Sequence, residues 1–204
     1  GFASSDNRGS RFIGPYEFSL GGSANSVFGL DERTGLRGIM TSQTKELRLI
    51  ELSHDEPLSD EGTRLSLSVL QAWVEPGFTL KPFGITSTQT TGSAAVSHPL
   101  IRSRAENLSA RARFDAKNIA VMQNDGASTV SDDRIRATRF GSSYDFVDAI
   151  VERPAVSLFG VEVSQGINGL GARPTGSANL SRPNGKAGFT KLTRVTLPML
   201  IPSL

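Results

Sequence analysis

The chain contains no cysteine, which excludes disulfides, thiolate nucleophiles, cysteine-ligated zinc and iron–sulfur clusters together. Histidine is almost as scarce: His54 and His98 are the only two, so a His-based metal centre or catalytic triad has little to draw on. Neither charge sign dominates, because 22 Lys and Arg face 20 Asp and Glu for a formal net charge of +2. Such a balance sets up no strong field to recruit nucleic acid, and none is expected as a partner. No run approaches the ~18–20 consecutive apolar residues of a membrane-spanning helix. A barrel strand is a different matter, since it crosses with about 9–11 alternating residues and leaves no hydropathy peak. The ends carry absences too. Gly1 to Ser5 show no initiator Met, basic n-region or apolar h-region, and Leu197 to Leu204 stay apolar where a domain end usually turns polar. Both features are expected of a segment cut from a longer chain.

What is present is a period of two. Leu65-Ser66-Leu67-Ser68-Val69 places apolar side chains on one face and hydroxyls on the other. Tyr16 to Leu20, Leu108 to Asp115 and Val156 to Ser164 alternate in the same way. Phe189 to Leu197 is rich in β-branched residues, and its apolar set changes face part way, as a bulge would cause. With Leu36 to Thr41, Leu47 to Ser53, Thr86 to Ser97 and Arg134 to Phe146, the pattern predicts about nine strands, and a partial strand before Gly14. No helical stripe accompanies them.

The connections sort into two kinds. Those at 25–31, 55–60, 98–103 and 148–153 are short, whereas 74–85, 119–133 and 166–188 are longer, with 42–44 as an exception. Short turns at one rim and long polar loops at the other are the layout of an up-and-down outer-membrane barrel. The alternative is a secreted soluble β-sandwich or solenoid that binds carbohydrate or a host surface, with its apolar faces turned inward against a second sheet. The direction of Leu65, Leu67, Val69, Phe159, Val161 and Val163 distinguishes the two.

Several segments then carry a resemblance. Asp6 to Tyr16, the turn Asn25 to Asp31, Glu46 to Leu52, Pro99 to Leu108, Val163 to Gly166, Asn179 to Arg182 and Phe189 to Thr193 occur in one order. In that order they resemble the hemolysin activation and secretion proteins, the outer-membrane transporters of two-partner secretion. The resemblance implies an antiparallel up-and-down transmembrane β-barrel of sixteen strands, of which residues 1–204 supply about nine or ten. Asp6 to Ser10 matches the end of the first barrel strand, and Phe189 to Leu200 roughly the tenth. The periplasmic transport-associated domains and the C-terminal strands are then absent. Implied partners are a hemolysin- or adhesin-like exoprotein and the lipid of a Gram-negative outer membrane. Implied chemistry is translocation without nucleotide, cofactor or covalent step.

Within a barrel, the charged side of each strand would line the lumen, so Arg111, Arg113 and Asp115 would project inward together. Arg48, Arg111, Arg113, Arg136 and Glu162 are the candidates for that lining, touching an unfolded chain in transit or holding the wall together. Trp73, Phe78, Tyr144 and Phe146 are candidates for an interfacial aromatic girdle. Other constellations carry less. Gly166 to Ala172 is glycine-rich but precedes no helix that would aim amides at a phosphate. No Gly-x-Ser-x-Gly elbow occurs, and His54 and His98 fall at predicted turns. Asp132-Asp133 and Asp55-Glu56 read as solvated loop charge, and Asn124-Asp125-Gly126 is too sparse for a calcium loop. No enzyme is expected.

Overall fold

The computed structural model describes residues 1–150 and 153–200. Ten strands form: β1 Phe2–Asp6, β2 Glu17–Asn25, β3 Arg33–Thr41, β4 Leu47–Pro57, β5 Arg64–Val74, β6 Thr86–Arg102, β7 Glu106–Gln123, β8 Ser128–Ile150, β9 Arg153–Gly166 and β10 Thr190–Leu200. They make one sheet in chain order, and every neighbouring pair is antiparallel. The expected strands are thus present, and the partial one is β1. The only helix among the described residues is a 3-10 turn, Phe78–Phe83. A sandwich requires a second sheet across the apolar face. Among the described residues there is none.

Register joins the alternation of single strands into two continuous faces. Leu67 pairs with His54 and Ala94, Val69 with Leu52 and Gly92. Phe140 pairs with Ala112 and Val163, and Leu192 with Val163. Followed from strand to strand, one face therefore carries Phe18, Leu20, Leu36, Ile50, Leu52, Val69, Phe140, Phe159, Val161, Val163 and Leu192. The other carries serine, threonine and most of the charge. Exposure shows which way the sheet curls. Leu20 is 69% exposed, Phe140 61% and Leu192 67% on the apolar face, while Ala137 and Ser164 on the polar face are each 1% exposed. Side chains converge and cover small neighbours on a concave face and splay on a convex one. The apolar face is the convex, outward one, including all six residues that distinguish barrel from sandwich.

Two rims result. At one, the connections are 26–32, 58–63 and 103–105; at the other they are 7–16, 42–46, 75–85, 124–127 and 167–189. The sorting of short from long holds with one correction. The expected long loop at 119–133 is mostly strand, because β7 runs to Gln123 and β8 begins at Ser128. A tight turn remains, with Asn124 and Asp125 at φ 54° and 55° and Gly126 at 93°. His54, Asp55 and Glu56 are likewise in β4, His98 in β6 and Asp132-Asp133 in β8 rather than in turns. The ladder of backbone hydrogen bonds continues wherever the neighbouring strand is present, and polar side chains are tolerated beyond the apolar band. The bulge expected in β10 is absent: its register against β9 is unbroken from Thr190 to Leu200, so Leu192 and Val195 face opposite ways. Bulges lie instead between Pro99 and Ile101 and between Val121 and Met122. Pro99 has no N–H to give the ladder, the reason prolines concentrate at such sites. The expected turn at 148–153 and the apolar tail include residues 151–152 and 201–204, which lie outside the described set.

The turn 26–32 is closed from within. Glu32, 1% exposed, accepts the backbone N–H of Phe28 at 2.8 Å and of Leu30 at 3.1 Å. The Phe28 N–H chiefly, with help from other turn amides, holds its carboxyl below the ordinary value of 4.5 against the opposing effect of burial. Val27, Phe28 and Leu30 consequently project outward.

Candidate functional site

Most of the ion pairs lie on the polar face, in two groups. On β3 to β5 they are one-to-one: Arg37 Nη2 meets Glu51 Oε2 at 2.9 Å, and Arg64 binds Asp55, whose second oxygen accepts the Ser66 hydroxyl at 2.7 Å. A stripe without charge follows on β5 and β6, where Ser68 and Ser93 join hydroxyls at 2.8 Å. On β7 to β9 the pairs are shared. Asp115 accepts Arg113 Nε at 2.7 Å on one oxygen and Arg139 Nε at 2.7 Å on the other. Arg139 Nη1 reaches Glu162 Oε1 at 3.4 Å, and the Ser164 hydroxyl donates to the same oxygen at 3.2 Å. The register explains the convergence: Arg113 sits opposite Arg139, and Arg139 opposite Ser164. Two like charges face each other across a pair of strands, and Asp115, one step along β7, bridges them. Beside this network a cleft of about 500 Å³ is lined by Arg111, Arg113, Arg139, Glu162, Ser97 and Ser109.

Arg111, Arg113 and Asp115, expected to project together from the alternation, share this face with the further candidate Glu162. Arg48 and Arg136 do not. Arg48 pairs with Trp73, on the same face as Leu52 and Val69, and its guanidinium lies 5.8 Å from the Trp73 ring centroid. Arg136 shares its face with Phe140, but near the long-loop rim, and bonds to the Lys117 and Leu170 carbonyls and to Asn118 Oδ1. Arg139 is also central to the network and was absent from the expected set, because placing it required the register of β8.

The aromatic candidates cluster at the rims of the apolar face. Trp73 with Arg48 is near the long-loop rim. Tyr144 and Phe146 are near the short-turn rim, where Phe146 stacks on Phe159 at 5.9 Å and the Tyr144 hydroxyl donates to Glu106 at 2.6 Å. Phe78 leaves the wall and meets Phe12 edge-on at 5.9 Å above the rim.

The loop 167–189 is fastened to β8 beyond the reach of β9. Ile167 and Arg173 donate N–H groups to the Arg136 and Arg134 carbonyls, and Asp132 donates its N–H to the Asn179 carbonyl. Arg173 Nη1 binds Asp132 at 2.6 Å. Ser181 N–H then donates to Asp133, on the polar face, at 3.1 Å. The returning segment covers Ile119 and Ile135 and brings Phe189 beside Lys117 and Arg139. Gly166 permits this approach, since a Cβ there would collide with the Ala187 carbonyl and the Phe189 ring.

A single curled sheet, apolar outside and charged inside, has counterparts among solved structures. CdiB from Escherichia coli superposes with a TM-score of 0.76 at 16% identity, over 94% of this chain and 35% of that one. The fold is that of part of a CdiB barrel. CdiB from Acinetobacter baumannii matches with a TM-score of 0.51 at 12% identity, over 99% of this chain and 46% of that one. The chain therefore spans less than half the length of either structure. No family model matches the sequence, and no curated protein does.

Proposed function

We propose that residues 1–204 form part of the wall of an outer-membrane pore that moves a secreted exoprotein to the surface of a Gram-negative cell, as in two-partner secretion. One observation carries this reading: a contiguous apolar face that no other described residues cover, backed by a face on which charge concentrates. Fully burying one Leu, Val or Phe side chain is worth ~1.5–3 kcal/mol, so such a face in water would be a large standing cost. In hydrocarbon it is the stable arrangement, and the rims carry the aromatic residues that favour the membrane interface. The likeness to two CdiB barrels, which are two-partner secretion transporters, and the ordered resemblance to hemolysin secretion proteins support the transport assignment.

The short-turn rim faces the periplasm and the long-loop rim the exterior. Arg111, Arg113 and Glu162, with Arg139 and Asp115, line the lumen, and the passenger is hemolysin- or adhesin-like. The outer edges of β1 and β10 are unpaired among the described residues, and open edges in lipid cost several kcal/mol for each unsatisfied group. Strands from outside this segment close the barrel. Movement is vectorial because the passenger folds outside, without bond chemistry by the pore. Reconstitution of the full-length chain containing this sequence into liposomes is expected to give ion conductance. A full-length chain that remains monomeric in buffer without detergent refutes the reading.

A further inference from the structure

We infer that the β7 to β10 part of the polar face, together with the returning half of loop 167–189, is a cationic track that takes an acidic stretch of extended polypeptide. The inference rests on the pore reading and names the chemistry of what passes along this side of the wall.

The charge is unevenly distributed. Arg111, Arg113, Lys117, Arg139 and Lys191 share this part of the polar face. The carboxylates among them are Asp115 and Glu162, both bound to Arg139. Two further acids on β8 are engaged elsewhere: Asp133 by the Ser181 N–H at the outer rim, and Asp145 by Asn107 Nδ2 at 2.9 Å near the opposite rim. Arg111, Lys117 and Lys191 have no ion pair among the described residues. Residues 167–189 contain no Asp or Glu. Their Arg173 is bound to Asp132, whereas Arg182 and Lys186 are exposed and unpaired among the described residues. Ser181 N–H to Asp133 and the cover over Ile119 and Ile135 bring those two cations to the outer end of the same face. The positive surface thus runs from Arg111, mid-wall, to Lys186 at the long-loop rim.

Spacing favours an extended chain over a small anion. Arg111, Arg113 and Lys117 lie on one face of one strand, separated by two and four residues, or about 7 and 14 Å at ~3.4 Å per residue. Carboxylates on alternate residues of an extended peptide repeat at that same interval. A single phosphate would use only one of these positions. The β3 to β5 part of the wall offers no such row, because Arg37 and Arg64 are each matched by a carboxylate and Arg33, at the short-turn rim, is its single unpaired inward cation among the described residues.

The test uses the full-length chain in planar bilayers, with poly-glutamate or poly-lysine added from the short-turn side. Poly-glutamate is expected to block at a concentration about tenfold lower than poly-lysine, in line with the effect of a focused field on local concentration. Raising salt from about 0.1 to about 1 M shortens the screening length from ~10 to ~3 Å and should erase most of the preference. R111Q/K117Q/K191Q should lose it, and R37Q/E51Q, in the matched part of the wall, should retain it. Equal block by both peptides, or an undiminished preference in a triple variant that still conducts, overturns the inference and leaves the pore reading intact. If the chain forms no conducting pore, the pore reading fails. Binding of fluorescent poly-glutamate to the detergent-held chain, measured by anisotropy, then decides the track alone: tight binding lost in the triple variant supports it, and equal binding of the two peptides refutes it.

Discussion

The strands β2 to β5 and the strands β7 to β9 are built to the same external plan and differ inside. Both turn a convex apolar surface outward. On β3 to β5 Arg37 and Arg64 are each neutralised by one carboxylate, with Arg33 left over at the short-turn rim, and the chain returns at the long-loop rim by short or locally folded connections. On β7 to β9 the strands run longer, one carboxylate is shared by two guanidiniums, and cations are left over beneath a loop fastened back onto the wall. On the pore reading, membrane residence constrains only one side of such a sheet. The lipid side must be uniform, while the lumen side is free to differentiate.

The sharpest way to break this comparison is to place a charge on the shared surface in each part. Val69→Lys on β5 and Val161→Lys on β9 are each expected to cost about 2–4 kcal/mol near the middle of the bilayer. Ser68→Lys, one residue away but facing inward, should fold as the parent does. Urea titration of the full-length chain in vesicles measures all three, and equal costs for Val69→Lys and Ser68→Lys would abolish the two-face description.

The inner difference predicts a smaller effect. Asp115→Ala strands two guanidiniums that share its carboxylate, which is only 14% exposed, and should cost about 1.5–3 kcal/mol, the scale of a charged hydrogen bond. Glu51→Ala breaks a half-exposed pair and should cost ~0–1 kcal/mol. The same titration reads both, and equal losses would remove the distinction between matched and shared networks.

Smaller still is the acid response of the 26–32 turn. The Glu32 carboxyl is depressed in the folded chain, so its contribution is complete above the unfolded value near 4.5 and fades as pH falls through the lower folded one. Amide exchange at Phe28 and Leu30 should accelerate in that window. Glu32→Gln should show fast exchange at all pH values, and an unchanged profile in that variant would discount the cap. The smallest effect is spectroscopic. Trp73 is the sole tryptophan, so nitroxide lipids labelled near the headgroup should quench it more than lipids labelled at the chain end.

Much of the fold was legible because a strand's alternation is a property of consecutive residues. Leu65 to Val69 and Val156 to Ser164 announce strand and face with no help from elsewhere. Arg48 shows where that stops. In Leu47-Arg48-Leu49 the arginine stands opposite two leucines, as a lumen residue would. The neighbouring strand reverses the reading, because Leu52 pairs with Val69 and Arg48 with Trp73, which carries Arg48 to the outer surface. Arg136 likewise shares a face with Phe140, but lies beyond the apolar band, where facing outward means facing water and the loop. Loop extents failed for a related reason: Asp132-Asp133 looks solvated in sequence and is indeed polar, yet β7 is long enough to keep β8 in the ladder beside it.

Local sequence was enough to show that the chain is built of strands, that each strand has an apolar side, and that the longest connections gather at one rim. These follow from the period of two and from local turn chemistry, which depend on residues a few positions apart. Only the tertiary structure decided which sides join, which way the sheet curls, that Asp115 bridges Arg113 and Arg139, and that loop 167–189 returns to the polar face. Those depend on the register between strands. A shift of one residue there moves every side chain to the opposite face, and no single strand contains the information that fixes it.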